Sequence, residues 1–116
     1  EKLKKNERIL INNEFGCPTS CESLAKFINK IIKKEEESKE ILHYRNYPAV
    51  SRIDFTLRII SLFNKSNKFK YKNEIVEISK FDNVRRPLNS VLNCNYTFEK
   101  YNVTKISWYE ELKKII

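Results

Sequence analysis

Glycine is almost missing from this chain: Gly16 is the only one in 116 residues. A dinucleotide-binding turn needs several glycines so that backbone can approach a pyrophosphate, and this chain therefore carries no such fingerprint. Histidine is as scarce, with His43 alone. No nucleophile–base constellation emerges around it, so it reads as a hydrogen-bonded structural residue rather than a catalytic one. Three cysteines, Cys17, Cys21 and Cys94, make an odd set with no secretory context, which points to reduced thiols. Cys17, Cys21 and His43 offer three zinc-ligand types where a structural site takes four, and no metal is expected. No apolar run approaches the roughly 20 residues of a membrane span. The N-terminus lacks the pattern of a signal peptide, so a cytoplasmic location is expected. The N-x-S/T sequons at Asn64, Asn95 and Asn102 arise freely in so asparagine-rich a chain.

What is present is ordinary globular composition: 41% hydrophobic and 33% charged residues. Such a chain forms one domain, residues 1–116, with a modest core. It starts at Glu1 rather than methionine, and reads as a piece of a longer protein. The net charge is +8, from 23 basic and 15 acidic residues. Basic patches supply phosphate affinity, yet the lysines are dispersed among glutamates, as in Lys33-Lys34-Glu35-Glu36-Glu37. Only Lys65 to Lys72, with Phe69 and Tyr71 interleaved, has the look of a base-stacking patch; it equally fits a loop leading into a strand. Nucleic acid and membrane are not the expected partners.

Periodicity predicts an α+β piece with three or four helices and short strands, not a doubly wound parallel sheet. Ile9-Leu10-Ile11 forms a β-prone run stopped by Asn12-Asn13. Thr19-x-x-Glu22 reads as a capping box that opens a helix from about residue 20 to 37. Its apolar set Cys21, Leu24, Ala25, Ile28, Ile31 and Ile32 is expected to face the core. Ile41-Leu42-His43-Tyr44 reads as a short buried strand, ended by Pro48. Ser51-x-x-Asp54 caps a second helix stopping at Asn64-Lys65-Ser66, and Glu74 to Ser79 is a β-run. Asn93 and Asn95 can cap a third helix ending at Asn102, a residue that tolerates the left-handed conformation. Ser107-x-x-Glu110 caps a last helix with the stripe Trp108, Leu112, Ile115 and Ile116.

The most distinctive stretch is Arg85-Arg86-Pro87-Leu88-Asn89-Ser90-Val91-Leu92-Asn93. Proline fixes its own φ and keeps Arg86 extended, and a guanidinium so held suits a phosphate or carboxylate. Without more, its arginines are solvated loop residues. However, this stretch, with Trp108-Tyr109-Glu110-Glu111-Leu112, resembles the C-terminal end of dTDP-4-dehydrorhamnose reductases, in the extended short-chain dehydrogenase/reductase family. Three further stretches agree in order: Asn13-Glu14-Phe15-Gly16-Cys17-Pro18-Thr19-Ser20, Ile41-Leu42-His43-Tyr44, and Ala49-Val50-Ser51-Arg52-Ile53-Asp54-Phe55. Asn13-Glu14 replaces the family's usual Asp-Gln, and Asn102 stands where glycine is more frequent.

The resemblance implies the small substrate-binding portion of such an enzyme, with the Rossmann half absent from this chain. It implies NADPH-dependent reduction of dTDP-4-dehydro-L-rhamnose to dTDP-L-rhamnose, with NADPH held by the missing half. It also implies a dTDP-sugar as ligand, the missing Rossmann domain as partner, and a possible homodimer. The substrate-binding residues expected are Asn13, Glu14, Gly16, Thr19, Arg86, Asn89 and Ser90. The family's catalysts are a tyrosine and a lysine four residues on. Tyr96/Lys100, Tyr101/Lys105 and Tyr109/Lys113 share that spacing, but the family's pair falls before residue 1, and no catalytic residue is assigned here. The alternatives are a non-catalytic relative, such as the regulatory subunit of methionine adenosyltransferase, and a basic nucleic-acid-binding module.

Overall fold

A computed structural model describes residues 1–34, 39–67, 70–79 and 84–116. In chain order the elements are α1 (Lys2–Lys5), β1 (Ile9–Ile11), β2 (Phe15–Gly16), α2 (Cys21–Ile32), β3 (Val50–Ser51), α3 (Arg52–Ser66), β4 (Ile75–Glu77), α4 (Asn95–Lys100) and α5 (Trp108–Ile115). The class is α+β, as expected. The described residues hold five helices, the one beyond expectation being the single turn α1. Two small sheets form instead of one large one. β1 and β4 run parallel with Leu10 opposite Val76, and β2 and β3 run antiparallel with Phe15 opposite Ser51.

Capping decides where the helices begin. Ser51 Oγ accepts from Asp54 N–H at 3.1 Å, and Ser107 Oγ accepts from Glu110 N–H, as the two boxes predict. Asn102 takes φ 47°, so asparagine serves in the left-handed position. The first predicted box is displaced by one residue. Ser20, not Thr19, caps α2, accepting from Ser23 N–H at 3.0 Å. Thr19 instead donates to the Cys17 carbonyl, and Glu22 pairs with Lys26 one turn on. The helix stops at Ile32, with Lys33 and Lys34 already in a turn; residues 35–38 of the predicted extension lie outside the described ones.

The core is aromatic. Phe27 stacks on Tyr44 at 4.6 Å, Tyr44 on Phe98 at 5.7 Å, and Tyr47 meets Phe98 edge-on at 5.4 Å. Trp108 meets Phe55 edge-on at 5.4 Å, which docks α5 against α3. Such pairs contribute beyond their buried area. Two expectations fail here. α2 turns Ser23 and Phe27 inward, while Leu24, Ile28 and Ile32 are exposed. The reason is Asn46, fully buried, whose Oδ1 accepts from Ser23 Oγ and Ser20 N–H and so draws the polar side of the helix in. The segment Ile41–Tyr44 is not a strand. Its His43 N–H goes to the Thr97 hydroxyl and its Tyr44 ring goes to the stack, while Ile41 lies exposed.

Tyr71 is buried with its hydroxyl on the carbonyls of Glu7 and Glu74. A ring held this way is part of the loop leading into β4 and offers no face for a base; Phe69 lies outside the described residues. In the predicted stripe of α5, Trp108 is buried and Leu112 half-buried, but Ile115 is exposed, and the second buried residue is Glu111.

Candidate functional site

β2 is the hinge of the site. On one side it pairs with β3. On the other, Phe15 N–H donates to the Leu88 carbonyl at 2.8 Å and Ser90 N–H donates to the Phe15 carbonyl at 3.0 Å. Asn89 thereby stands opposite Phe15 in a parallel bridge, and its Oδ1 accepts from Val91 N–H. The two sequence segments singled out earlier, around Gly16 and after Pro87, are thus laid side by side. The three lengths of chain wall a cleft of about 280 Å³ lined by Glu14, Gly16, Arg52 and Ser90 among others.

What Gly16 offers there is space rather than conformation, since its φ is not positive. A Cβ at this position would lie 3.3 Å from Ser90 Oγ, closer than side-chain atoms ordinarily approach. The Ser90 hydroxyl is itself committed to the Phe15 carbonyl at 3.1 Å.

Glu14 is buried. Its carboxylate takes Asn12 Nδ2 at 3.1 Å and the Arg52 guanidinium at 3.3 Å. Arg52 escaped the sequence reading as a site residue. The available signal was its position, the first residue of α3: a cation there opposes the helix dipole and calls for a compensating carboxylate. Asn13 lies behind the cleft, where its Oδ1 accepts from Ile53 N–H and braces the start of α3.

The other expected residues separate. Thr19 lines a neighbouring apolar pocket of about 120 Å³ with Pro18, Phe55, Trp108 and Ile115. Its hydroxyl also accepts from Asn46 N–H. Glu111 lines that pocket too, and accepts from Lys114 and from Ser20 Oγ, the latter at 2.8 Å. Those two hydrogen bonds hold its carboxyl below the ordinary value of 4.5. Arg86 is exposed, two residues before the Leu88 carbonyl that anchors the segment, and lies outside the lining of the cleft.

The tyrosine–lysine pairs have other occupations. Tyr96 Oη donates to Glu40 and Lys100 reaches the same carboxylate, which raises the lysine. Lys105 sits over the Tyr47 ring, and Lys113 pairs with Glu110. None of these tyrosines or lysines lines the cleft. Among the described residues no three ligand-type side chains gather as a metal site. Cys17 Sγ instead accepts from Arg45 at 2.9 Å, His43 is exposed, and all three cysteines are unpaired. No described helix is long and apolar enough to cross a membrane.

The chain is thus a small α+β unit with an open cleft where a glycine-containing strand, a helix N-terminus and a short polar segment meet. The chain belongs to the family described as the RmlD substrate binding domain, which it matches over residues 1–116. It is similar to the crystal structure of a dTDP-4-dehydrorhamnose reductase from Yersinia enterocolitica, with 25% identity and a TM-score of 0.75. That likeness covers 97% of this chain and 39% of the other. It is similar also to a dTDP-4-dehydrorhamnose reductase from Bacillus anthracis str. Ames in complex with NADP, with 25% identity and a TM-score of 0.76. There the coverage is 96% of this chain and 37% of the other. The chain therefore spans under two fifths of either reductase. No curated protein matches it.

Proposed function

We propose that this chain is the substrate-binding part of a dTDP-4-dehydrorhamnose reductase, which reduces dTDP-4-dehydro-L-rhamnose to dTDP-L-rhamnose with NADPH. The observation that carries this reading is the convergence of the Glu14–Gly16 segment and Ser90, distant from it in sequence, on one cleft. A sugar nucleotide presents hydroxyls and a diphosphate, and the cleft answers with a carboxylate, a hydroxyl and a guanidinium. Arg86, held extended by Pro87, reaches the diphosphate from the rim, with Asn89 beside it. Asn13 and Thr19 support the walls.

The residues present do not fit the cofactor. The single glycine lies in an antiparallel pair of two-residue strands, not in a turn between a strand and a helix, so no part of hydride transfer is assigned to this chain. NADPH belongs to a further domain of the cytoplasmic enzyme, and a homodimer is its proposed assembly.

The test is calorimetric titration of dTDP-sugar into the complete protein and its variants. Arg86→Ala is expected to weaken binding roughly ten- to a hundredfold, the worth of one charge-assisted hydrogen bond. Arg86→Lys recovers part of that, because a point charge cannot make a bidentate contact, and Arg85→Ala matters less. A lowered melting temperature with unchanged affinity would instead make Arg86 a structural residue. The 116-residue chain alone is expected to oxidise no NADPH with the keto sugar.

A further inference from the structure

Arg52 borders two hollows at once. One is the cleft of about 280 Å³ walled by Gly16 and Ser90. The other is a groove of about 370 Å³ along β1, lined by Ile9, Leu10 and Ile11. Phe55, three residues on in α3, also lines both. Arg52 thus stands on the divide between two concavities. This arrangement suits a ligand with two uncharged ends and an anionic middle.

The charges are layered. The Glu14 side chain is only 10% exposed, whereas that of Arg52 is 52% exposed. The carboxylate therefore lies on the protein side and the guanidinium on the solvent side. A guanidinium carries five donors in a fixed fork, and the Glu14 contact engages Nη2, so donors remain for an anion arriving from outside. The amides at the start of α3 are already used. Arg52 N–H goes to the Glu14 carbonyl, Ile53 N–H to Asn13 and Asp54 N–H to Ser51. Anion recognition at this place falls to the side chain, not to the helix end.

We infer that Arg52 is a diphosphate-binding residue of the site, with Glu14 as its positioning residue. The inference rests on the sugar-nucleotide reading above and adds to it a second guanidinium, on the opposite wall from the Arg86 segment. The Glu14 contact restrains the fork before the ligand arrives, which lowers the ordering cost of binding.

The experiment titrates dTDP by calorimetry, and thymidine by ligand-detected NMR, into the complete protein and its Arg52→Ala and Arg52→Lys variants. Melting temperatures are recorded alongside. Arg52→Ala is expected to weaken dTDP roughly ten- to a hundredfold while leaving thymidine within about twofold. Arg52→Lys is expected to fold as the parent and recover only part of the dTDP affinity. Equal losses for dTDP and thymidine would make Arg52 a structural residue and overturn the inference. Unchanged dTDP affinity in Arg52→Ala would overturn it while leaving the functional reading intact. Failure of the unsubstituted protein to bind dTDP would remove both.

Discussion

Asn46 is the residue whose loss should be felt most widely. It is fully buried and joins the segment before α3 to the start of α2. Its Oδ1 accepts from Ser20 N–H at 2.8 Å and from Ser23 Oγ at 2.9 Å, and its own N–H donates to the Thr19 hydroxyl. Asn46→Ala removes the shared acceptor and keeps the backbone bond. The Ser20 N–H, one of the helix's first donors, then has no partner, and neither does one direction of the buried Ser23 hydroxyl. An orphaned buried polar group costs about 1–3 kcal/mol. Ser23 Oγ also has the Ser20 carbonyl within reach, and the Asn46 Nδ2 that the substitution removes is itself buried without a partner, so the net loss comes to about 1–3 kcal/mol. For a domain of this size that lowers Tm by roughly 4–12 °C. Ser23→Ala removes one of the two donors and leaves the other bonded, so it should cost about 1 kcal/mol. Urea unfolding of both single variants and the double variant measures the coupling. A loss under about 0.5 kcal/mol for Asn46→Ala, or strict additivity in the cycle, would refute the account of α2's orientation.

Three other outcomes follow from contacts described above. Gly16→Ala should destabilise by up to about 1 kcal/mol, since the Ser90 hydroxyl must shift to admit the methyl, and in a Ser90→Ala background the cost should vanish; thermal melts that show the same cost in both backgrounds would count against the close approach. Glu111 is held below 4.5 by Lys114 and Ser20, so its stabilisation is complete above that value and is lost as pH falls through the lower folded value. Glu111→Gln should accordingly flatten the acid limb of a stability profile, and an unchanged limb would discount the pair. Leu24, Ile28 and Ile32 lie one turn apart and exposed on α2, so the 116-residue chain should self-associate and Ile28→Lys should disperse it; sedimentation of the unsubstituted chain as a clean monomer at high concentration would contradict this.

Local chemistry was legible where neighbours in sequence do the bonding. Ser51, Ser107 and Asn102 announce their caps because the donor they serve is at most a turn away. β1 and β4 were legible as apolar runs, though their pairing depends on residues far apart. The inward face of α2 was not. Its apolar set and its Ser23–Phe27 side share the helical period, and periodicity ranks the more hydrophobic one as buried. What reversed the ranking is a polar partner, Asn46, 23 residues beyond Ser23. The same holds for Glu111 and Thr97, polar residues buried by bonds to distant segments. Of the site, Gly16 and Ser90 were reachable through resemblance, and the structure adds the contact between them. Arg52 lies inside a resembling stretch, yet nothing local marks it, because its carboxylate partner Glu14 is 38 residues earlier in the chain.

Asn13 and Glu14, adjacent in sequence, both bond to the start of α3. Neighbouring residues in extended chain face opposite ways. Here Asn13 turns to the start of α3, accepting from Ile53 N–H, and Glu14 turns to the cleft wall and Arg52. A carboxylate at position 13 would sit at the positive end of α3, while a neutral glutamine at 14 would leave the guanidinium without a counter-charge beside that same end. Moving the carboxylate by one residue keeps an oxygen acceptor for Ile53 N–H, since asparagine supplies it. It also places the negative charge where the arginine needs it. In this chain the two neighbours thus serve the start of α3 by different routes, Asn13 through the backbone and Glu14 through the arginine that borders both the cleft and the groove along β1.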